Sequence, residues 1–314
     1  MVTRRMQTPS SLTIFGGVGT PTPEAERRFF TKVRLSNGTY KTTYRHRLDD
    51  LNEKLIEFVP RDRCLTIMDV AVSSGISTIE WSDHLQAHGI QHRMVAGDLV
   101  TDAWLTSWGT WLAVLFDSNQ RDPLLLEIGP LMVPVRSDRW LARMVRPLLF
   151  PLLRAIAAVG RRSGLASPMA PAVPGRWVHR SIPFVSPDLH HRAEIVVVQD
   201  DITVSGRFAE AFDAIRVANL IHRVYFDDAA TTRIVHNLWN RLRDGGILAI
   251  CRTMEDGTNH ATIFRRRGNC FVSEASINNG AEVCALVLAL RFGGNKKTLS
   301  VSCSGPDRVN APDT

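Results

Sequence analysis

Between residues 44 and 59, Leu48, Leu51, Leu55, Ile56 and Val59 recur at helical spacing and Pro60 ends the run, so this stretch predicts an amphipathic helix leading into a core. The apolar run that follows, LTIMDVAV at 65–72, is short and unbroken, as in a strand buried on both faces. A loop then opens a helix over about 76–88, closed by Gly89, and HRMVAGDLV at 92–100 reads as a second strand closed by Asp98. Strand, helix and strand in that order imply a parallel sheet with right-handed crossovers.

The alternation then stops. From about 104 to 187 the chain offers a hairpin, WLAVLFDSNQRDPLLLEIG, with its turn at 117–123, then a leucine- and arginine-rich run at 139–162 and a proline-rich connection, SPMAPAVPGRW. The rhythm resumes with AEIVVVQDDIT, a strand ending in paired aspartates, and with FDAIRVANLIH. A helix that Asp227 can cap places Ile234, Val235, Leu238, Trp239 and Leu242 on one face, ends at Gly245 and gives way to the strand GGILAICRT. NCFVSEASI and AEVCALVLALRF read as two closing strands joined by Asn278, Asn279 and Gly280, a hairpin signal. The predicted fold is α/β: a doubly wound, Rossmann-like sheet of seven strands, mostly parallel with an antiparallel C-terminal hairpin, plus a helical and hairpin insertion over 105–187. Residues 1–35 read as a flexible tail or lid, 36–292 as the domain, and 293–314 as a disordered tail.

Composition changes this picture little. Hydrophobic types make up 44% of the 314 residues and charged types 22%, which places the chain among packed globular proteins. Its five cysteines stand apart, with neither zinc-ligand spacing nor a disulfide framework, so no metal is expected and reduced thiols suit a cytoplasmic protein. The N-terminus has Arg4 and Arg5 but no long apolar core after them, which argues against a secretory signal.

The net charge of +7 matters through its location. Between 136 and 162 Asp138 is the only acid, while Arg139, Arg143, Arg146, Arg154, Arg161 and Arg162 punctuate leucine, valine, isoleucine and phenylalanine. That pattern suits a basic amphipathic helix in peripheral contact with a membrane, or a cover over a hydrophobic acceptor. It suits equally a helix packed on its own domain or at a homodimer interface. The run has few aromatic stacking positions, so nucleic acid is not expected as a partner.

In a doubly wound fold, ligands bind beyond the carboxyl ends of the strands. Asp69, Ala71, Ser73 and Gly75 have the spacing of an acid followed by three alternate glycines, with alanine and serine in the first two glycine places. Glycine is used there because the backbone turns sharply and approaches a ligand without a Cβ; alanine and serine are the mildest replacements where φ is negative. Asp98, at the end of the next strand, is placed to accept both hydroxyls of a ribose, though a loop or capping acid would look the same. Asp200 or Asp201 can accept from an adenine amine with Ile202 against the ring, and Asn219 ends the strand after the switch point.

With these elements in order, the chain resembles the class I S-adenosylmethionine-dependent methyltransferases. The resemblance rests on MDVAVSSGIST, VAGDLV, VVQDDIT, FDAIRVANLIH, LRDGGILAI and the closing hairpin, over roughly 44–104 and 188–292. It implies S-adenosyl-L-methionine as cofactor. Asp69, Ala71, Ser73 and Gly75 would surround its methionine moiety and Asp98 its ribose. Asp201 and Ile202 would address adenine, and Asn219 and Leu220 would line the sulfonium and acceptor side.

An oxygen or nitrogen acceptor also needs a base, and His222 is the first candidate because neutral imidazole takes a proton near pH 7. A structural, hydrogen-bonded histidine is the bland alternative. Tyr225 is a second pocket candidate. The acceptor expected is small or lipid-like and hydrophobic. Two other readings stay open: a protein carboxyl methyltransferase, which VANLIHRVYFDD loosely resembles with its arginine displaced to Arg216, and a non-catalytic membrane-associated interaction protein.

Overall fold

The computed structural model describes residues 10–16, 21–35, 38–41, 43–136, 140–163 and 175–293. Its helices are α1 (Ser11–Phe15), α2 (Pro23–Phe30), α3 (Asp49–Ile56), α4 (Ile76–Ala87), α5 (Trp140–Ser163), α6 (Pro187–His191), α7 (Asp228–Arg241) and α8 (Cys284–Ala289). Seven strands, β1 (Leu65–Val70), β2 (His92–Asp98), β8 (Ile195–Gln199), β9 (Phe212–Ala218), β10 (Leu242–Thr253), β11 (Asn259–Arg267) and β12 (Cys270–Ile277), form the larger sheet. The other five, β3 (Asp102–Trp108), β4 (Leu112–Phe116), β5 (Pro123–Ile128), β6 (Leu131–Pro134) and β7 (Trp177–Pro183), form a second sheet.

The larger sheet has the order β12-β11-β10-β9-β1-β2-β8. The unbroken apolar run at 65–70 becomes its central strand, β1, hydrogen-bonded in parallel to β2 on one side and β9 on the other. From β1 the chain winds through β2 to β8, then returns to β9 and β10, so the switch point falls beside β1. One face carries Leu51, Leu55, Trp81 and Leu85 from α3 and α4; the opposite face packs Ile234, Val235, Leu238 and Trp239 from α7 against Ile215, Val217 and Leu248. This is the mostly parallel, seven-stranded α/β fold that the hydrophobic pattern predicts.

The antiparallel C-terminal pair is present with different members. β11 pairs with β10 and β12, and the turn between β11 and β12 contains Gly268 in the left-handed region, φ 56. The arginines at 265–267 hide an apolar ATIF strand from a pattern reading. Asn278 and Gly280 do turn the chain, at φ 50 and 73, but they lead into α8. The segment read as a last strand is rich in alanine and leucine, which favour helix, and it docks Val283 and Val287 beside Trp239 and Phe292.

The insertion is a second layered unit. Its sheet, of order β6-β5-β4-β3-β7, is antiparallel throughout; the predicted hairpin is β4 and β5, with its turn after Phe116. One face holds α5 through Leu153 and Ala157, packed with Val114 and Phe116. At Gly160 a Cβ would meet Thr106 Cγ2 at 2.4 Å, so the helix lies on β3 with no room for a side chain. The other face is covered by α1 and α2, whose Ile14, Phe29 and Phe30 pack with Leu105, Leu115 and Ile182.

This corrects the expectation of a flexible tail over 1–35 for the part described: α1 and α2 are core elements. Glu127 of β5 fastens α1, taking Ser11 N–H at 2.7 Å and the Ser11 hydroxyl at 2.8 Å. Residues 1–9 and the predicted C-terminal tail from 294 onward lie outside the described residues. No helix among the described residues is long and apolar enough to cross a membrane.

Candidate functional site

Parallel register aligns the strand ends. Asp69 pairs with Ala96, Val70 with Gly97 and Val217, and Asp98 with Gln199. Residues 71–75, Asp98, 200–202 and 219–222 therefore follow one edge of the sheet. The loop after β1 places Ala71, Ser73 and Gly75 at φ 58, 60 and 86, all left-handed. The backbone keeps the conformation for which alternate glycines are suited, although only Gly75 is one. A Cβ on Gly75 would come within 2.5 Å of Leu189 Cδ2, so this residue, which is also the N-cap of α4, is fixed by space as well as by φ.

A non-glycine residue in that region costs roughly 1–2 kcal/mol, offset in part by glycine's greater freedom when unfolded. Ala71→Gly and Ser73→Gly should therefore each stabilise the protein, by about 0.5–1 kcal/mol. Urea unfolding midpoints measure this, and a fall in both variants would contradict the strain. Ser73 Oγ and Ser74 Oγ are buried at this loop with no hydrogen-bond partner among the described residues.

The carboxylates along the edge have distinct fates. Asp69 is buried beneath the loop, with Oδ1 taking Arg216 Nε at 2.9 Å and Oδ2 taking Arg216 Nη2 at 2.6 Å and the Thr78 hydroxyl at 2.7 Å. Arg216 also donates to Asn52 Oδ1 and Ser77 O, and its guanidinium lies 4.5 Å from the Trp81 ring centroid. Asp200 is likewise enclosed, taking Arg241 Nη1 at 2.5 Å and Nη2 at 3.1 Å. Asp201 is exposed and accepts from Thr203 N–H and hydroxyl, while Ile202 is buried beside it. Of the two aspartates read as adenine partners, Asp201 alone presents itself outward.

Asp98 accepts Ser73 N–H at 2.7 Å and Val100 N–H at 3.0 Å, tying the loop to the end of β2. It also meets a cation that the sequence pattern did not reveal. Lys41, 1% exposed, donates from Nζ to Ser73 O at 3.0 Å and approaches Asp98 Oδ1 at 3.4 Å. Its ammonium lies 5.2 Å from the Phe184 ring centroid, so segments before β1 and after β7 both close over this edge. Burial pulls the Lys41 pKa down, opposed by the Asp98 carboxylate.

Beyond β9, Asn219 takes φ 57 and turns its side chain onto β10, accepting Thr253 N–H at 2.7 Å and donating to Thr253 Oγ1 at 3.2 Å. Leu220 is partly buried against the α7 core. His222 is buried, its Nδ1 has no hydrogen-bond partner among the described residues, and its ring lies 4.2 Å from that of the exposed Tyr225. Burial and the Arg252 cation lower the His222 pKa, with Glu282 opposing, which keeps the imidazole neutral near pH 7. A neutral ring with an unpaired nitrogen is suited to accept a proton.

Fold and edge together define a Rossmann-like α/β protein with a glycine-type loop at its switch point. No protein-family model and no curated protein matches the chain. Solved structures that match include S-adenosylmethionine-dependent methyltransferases from Aquifex aeolicus, 11% identical with TM-score 0.30 over 67% of this chain and 68% of that one, and from Mesorhizobium loti, 14% identical with TM-score 0.28 over 64% and 52%. A Haemonchus contortus phosphoethanolamine N-methyltransferase in complex with phosphomonomethylethanolamine and S-adenosylhomocysteine matches at 11% identity and TM-score 0.30, over 65% of this chain and 28% of that one. The chain spans about half the length of several of the structures it matches and about a third or less of others.

Proposed function

We propose that the protein is an S-adenosylmethionine-dependent methyltransferase whose cofactor lies along the loop after β1 and the end of β2. The observation that carries this reading is the run of left-handed residues at Ala71, Ser73 and Gly75, joined to Asp98 through Ser73 N–H. The unpartnered hydroxyls of Ser73 and Ser74 and the outward Asp201 fit a polar ligand there. S-adenosylmethionine supplies, when bound, a methyl group on a sulfonium that a nucleophile displaces in line. The chain's own part is to orient the cofactor through the loop and Asp98, to exclude water with the segment bearing Lys41, and to take the acceptor's proton at His222 Nδ1.

The acceptor proposed is small or lipid-like. Support comes from α5, whose outer side exposes Met144 at 69% and Leu148 at 79%, together with Leu152 and Val159, among the exposed Arg154, Arg161 and Arg162. Such a surface suits anionic lipid.

A second reading is favoured by one observation: Lys41 already holds Ser73 O and lies against Asp98, as in a protein that keeps the fold without turnover. Calorimetric titration with S-adenosylhomocysteine separates the two. The methyltransferase reading expects one equivalent bound and at least about tenfold weaker binding by Asp98→Asn, since a charged acceptor is lost. No binding by wild type or by Lys41→Met would leave the second reading standing. Undiminished binding by Asp98→Asn would move the cofactor elsewhere. In the same samples, co-sedimentation with phosphatidylglycerol vesicles should fall in a Leu148→Glu/Leu152→Glu variant; equal recovery would remove the lipid surface.

A further inference from the structure

At the end of the larger sheet away from the cofactor loop, α4 finishes on two histidines and α3 lays a carboxylate beside them. His84 stands in the last turn of α4 and His88 is its C-cap. Residues four apart share a helix face, and the two ring centroids are 4.6 Å apart. Glu53 of α3 brings Oε2 to 3.0 Å from His84 Nε2. One ligand atom from each of the three side chains lies within 4.8 Å of the other two.

We propose that Glu53, His84 and His88 bind a divalent transition-metal ion of the zinc class. Two imidazole nitrogens and one carboxylate oxygen form a donor set that zinc accepts, with water in the remaining position. The tautomer of His88 is fixed for this purpose. Its Nδ1 faces the His84 carbonyl oxygen at 2.9 Å; a carbonyl only accepts, so Nδ1 carries the proton and Nε2 keeps its lone pair. His84 Nε2 is shielded from solvent and forms no hydrogen bond among the described residues, although Glu53 Oε2 lies 3.0 Å away. A nitrogen and a carboxylate oxygen 3.0 Å apart, with no hydrogen bond joining them, are placed for one ion to be ligated by both.

Distances are compatible with modest closure. Ligands of a tetrahedral zinc lie about 3.3 Å from one another, and movement of the exposed Glu53 carboxylate closes the set while the His88 ring keeps its bond to the His84 carbonyl. The partial negative charge at the C-terminus of α4 favours a cation at the same place. Because the ligands come from α3 and α4, the ion would clamp the two helices that also supply Asn52, Ser77 and Thr78 around Asp69 and Arg216.

The test is titration of the full chain, first stripped with a chelator, with zinc chloride. Wild type should bind one equivalent and melt at a higher temperature with zinc than without. His84→Gln and His88→Gln should each weaken binding at least about tenfold, Glu53→Gln should weaken it several-fold, and the melting shift should vanish in His88→Gln, an exposed position whose change leaves the core intact. With cobalt(II), visible ligand-field absorption should appear in wild type and be lost in both histidine variants. Absence of binding by wild type, or zinc affinity unchanged in the two histidine variants, overturns the site. Neither outcome depends on S-adenosylhomocysteine binding.

Discussion

Arg216→Met should lower stability by about 3–5 kcal/mol, enough to remove a large part of an ordinary domain's margin. Arg216 is 0% exposed and holds Asp69 with two hydrogen bonds, so the substitution leaves a buried carboxylate with only the Thr78 hydroxyl to meet it. Asn52 Oδ1 and Ser77 O lose a donor at the same time. The cost arises from the stranded charge more than from any large net value of the pair, because moving both ions from water is itself expensive. Replacing both partners, as Arg216→Met/Asp69→Leu, should therefore recover a good part of the loss. Urea unfolding of the two variants measures both statements. A loss under about 1 kcal/mol for the single variant, or a double variant worse than the single, would contradict the account.

The second large effect depends on pH. Burial pushes the Glu127 carboxyl up to about 7, against the opposing pull of the Ser11 N–H and hydroxyl. Since the folded value lies above the unfolded one, folding takes up a proton between about pH 4.5 and 7, and stability from this group falls as pH rises through that window. Two and a half pH units correspond to about 3 kcal/mol. Glu26, also pushed to about 7 by burial, acts in the same direction. His179, held down at about 4 by burial and Arg161, acts in the opposite direction up to about pH 6.5, so the wild-type profile alone mixes the two signs. The difference between Glu127→Gln and wild type isolates the carboxyl. Glutamine retains an oxygen for Ser11 N–H and carries no charge, so its relative stability should improve by about 3 kcal/mol from pH 4.5 to 7.5 and be level above that. Chemical denaturation at a series of pH values reads this directly, and a constant difference would show that Glu127 is not held protonated.

Much of the larger sheet was legible because its strands are buried on both faces and so appear as unbroken apolar runs, as at 65–70 and 212–218. The loop was legible in spacing and opaque in conformation. Alanine and serine are mild replacements for glycine only where φ is negative, and the backbone is left-handed at both. Two pieces of the periphery were misread for a common reason. α1 and α2 are short and begin among threonine, proline and serine, so their burial is decided by a sheet more than seventy residues later in the chain. The β11 strand was obscured by three consecutive arginines whose partners lie on other elements: Glu274 on the paired strand, Gly245 O before β10 turns apolar, and Glu210 before β9.

Ion pairs within the site were invisible for the same cause. Nothing in the neighbourhood of Asp200 announces Arg241, and Lys41 lies in a stretch without periodicity. Arg216 could have been noticed, since a charged residue within an otherwise apolar strand needs a buried partner. The His84 and His88 spacing was also there to be read, but without Glu53 it is only two residues on a helix.

The closure over the carboxyl edge of the larger sheet has a kinetic consequence. Ser186 joins Glu26 across 160 residues, Arg180 reaches Phe15 O across 165, and Lys41 reaches Asp98 across 57. Contacts of such separation repay their chain entropy only after the segments between them are ordered. The central pairing of β1 with β9 is of the same kind, with Asp69 and Arg216 147 residues apart, so the chain as a whole has a high contact order and is expected to fold slowly for its size.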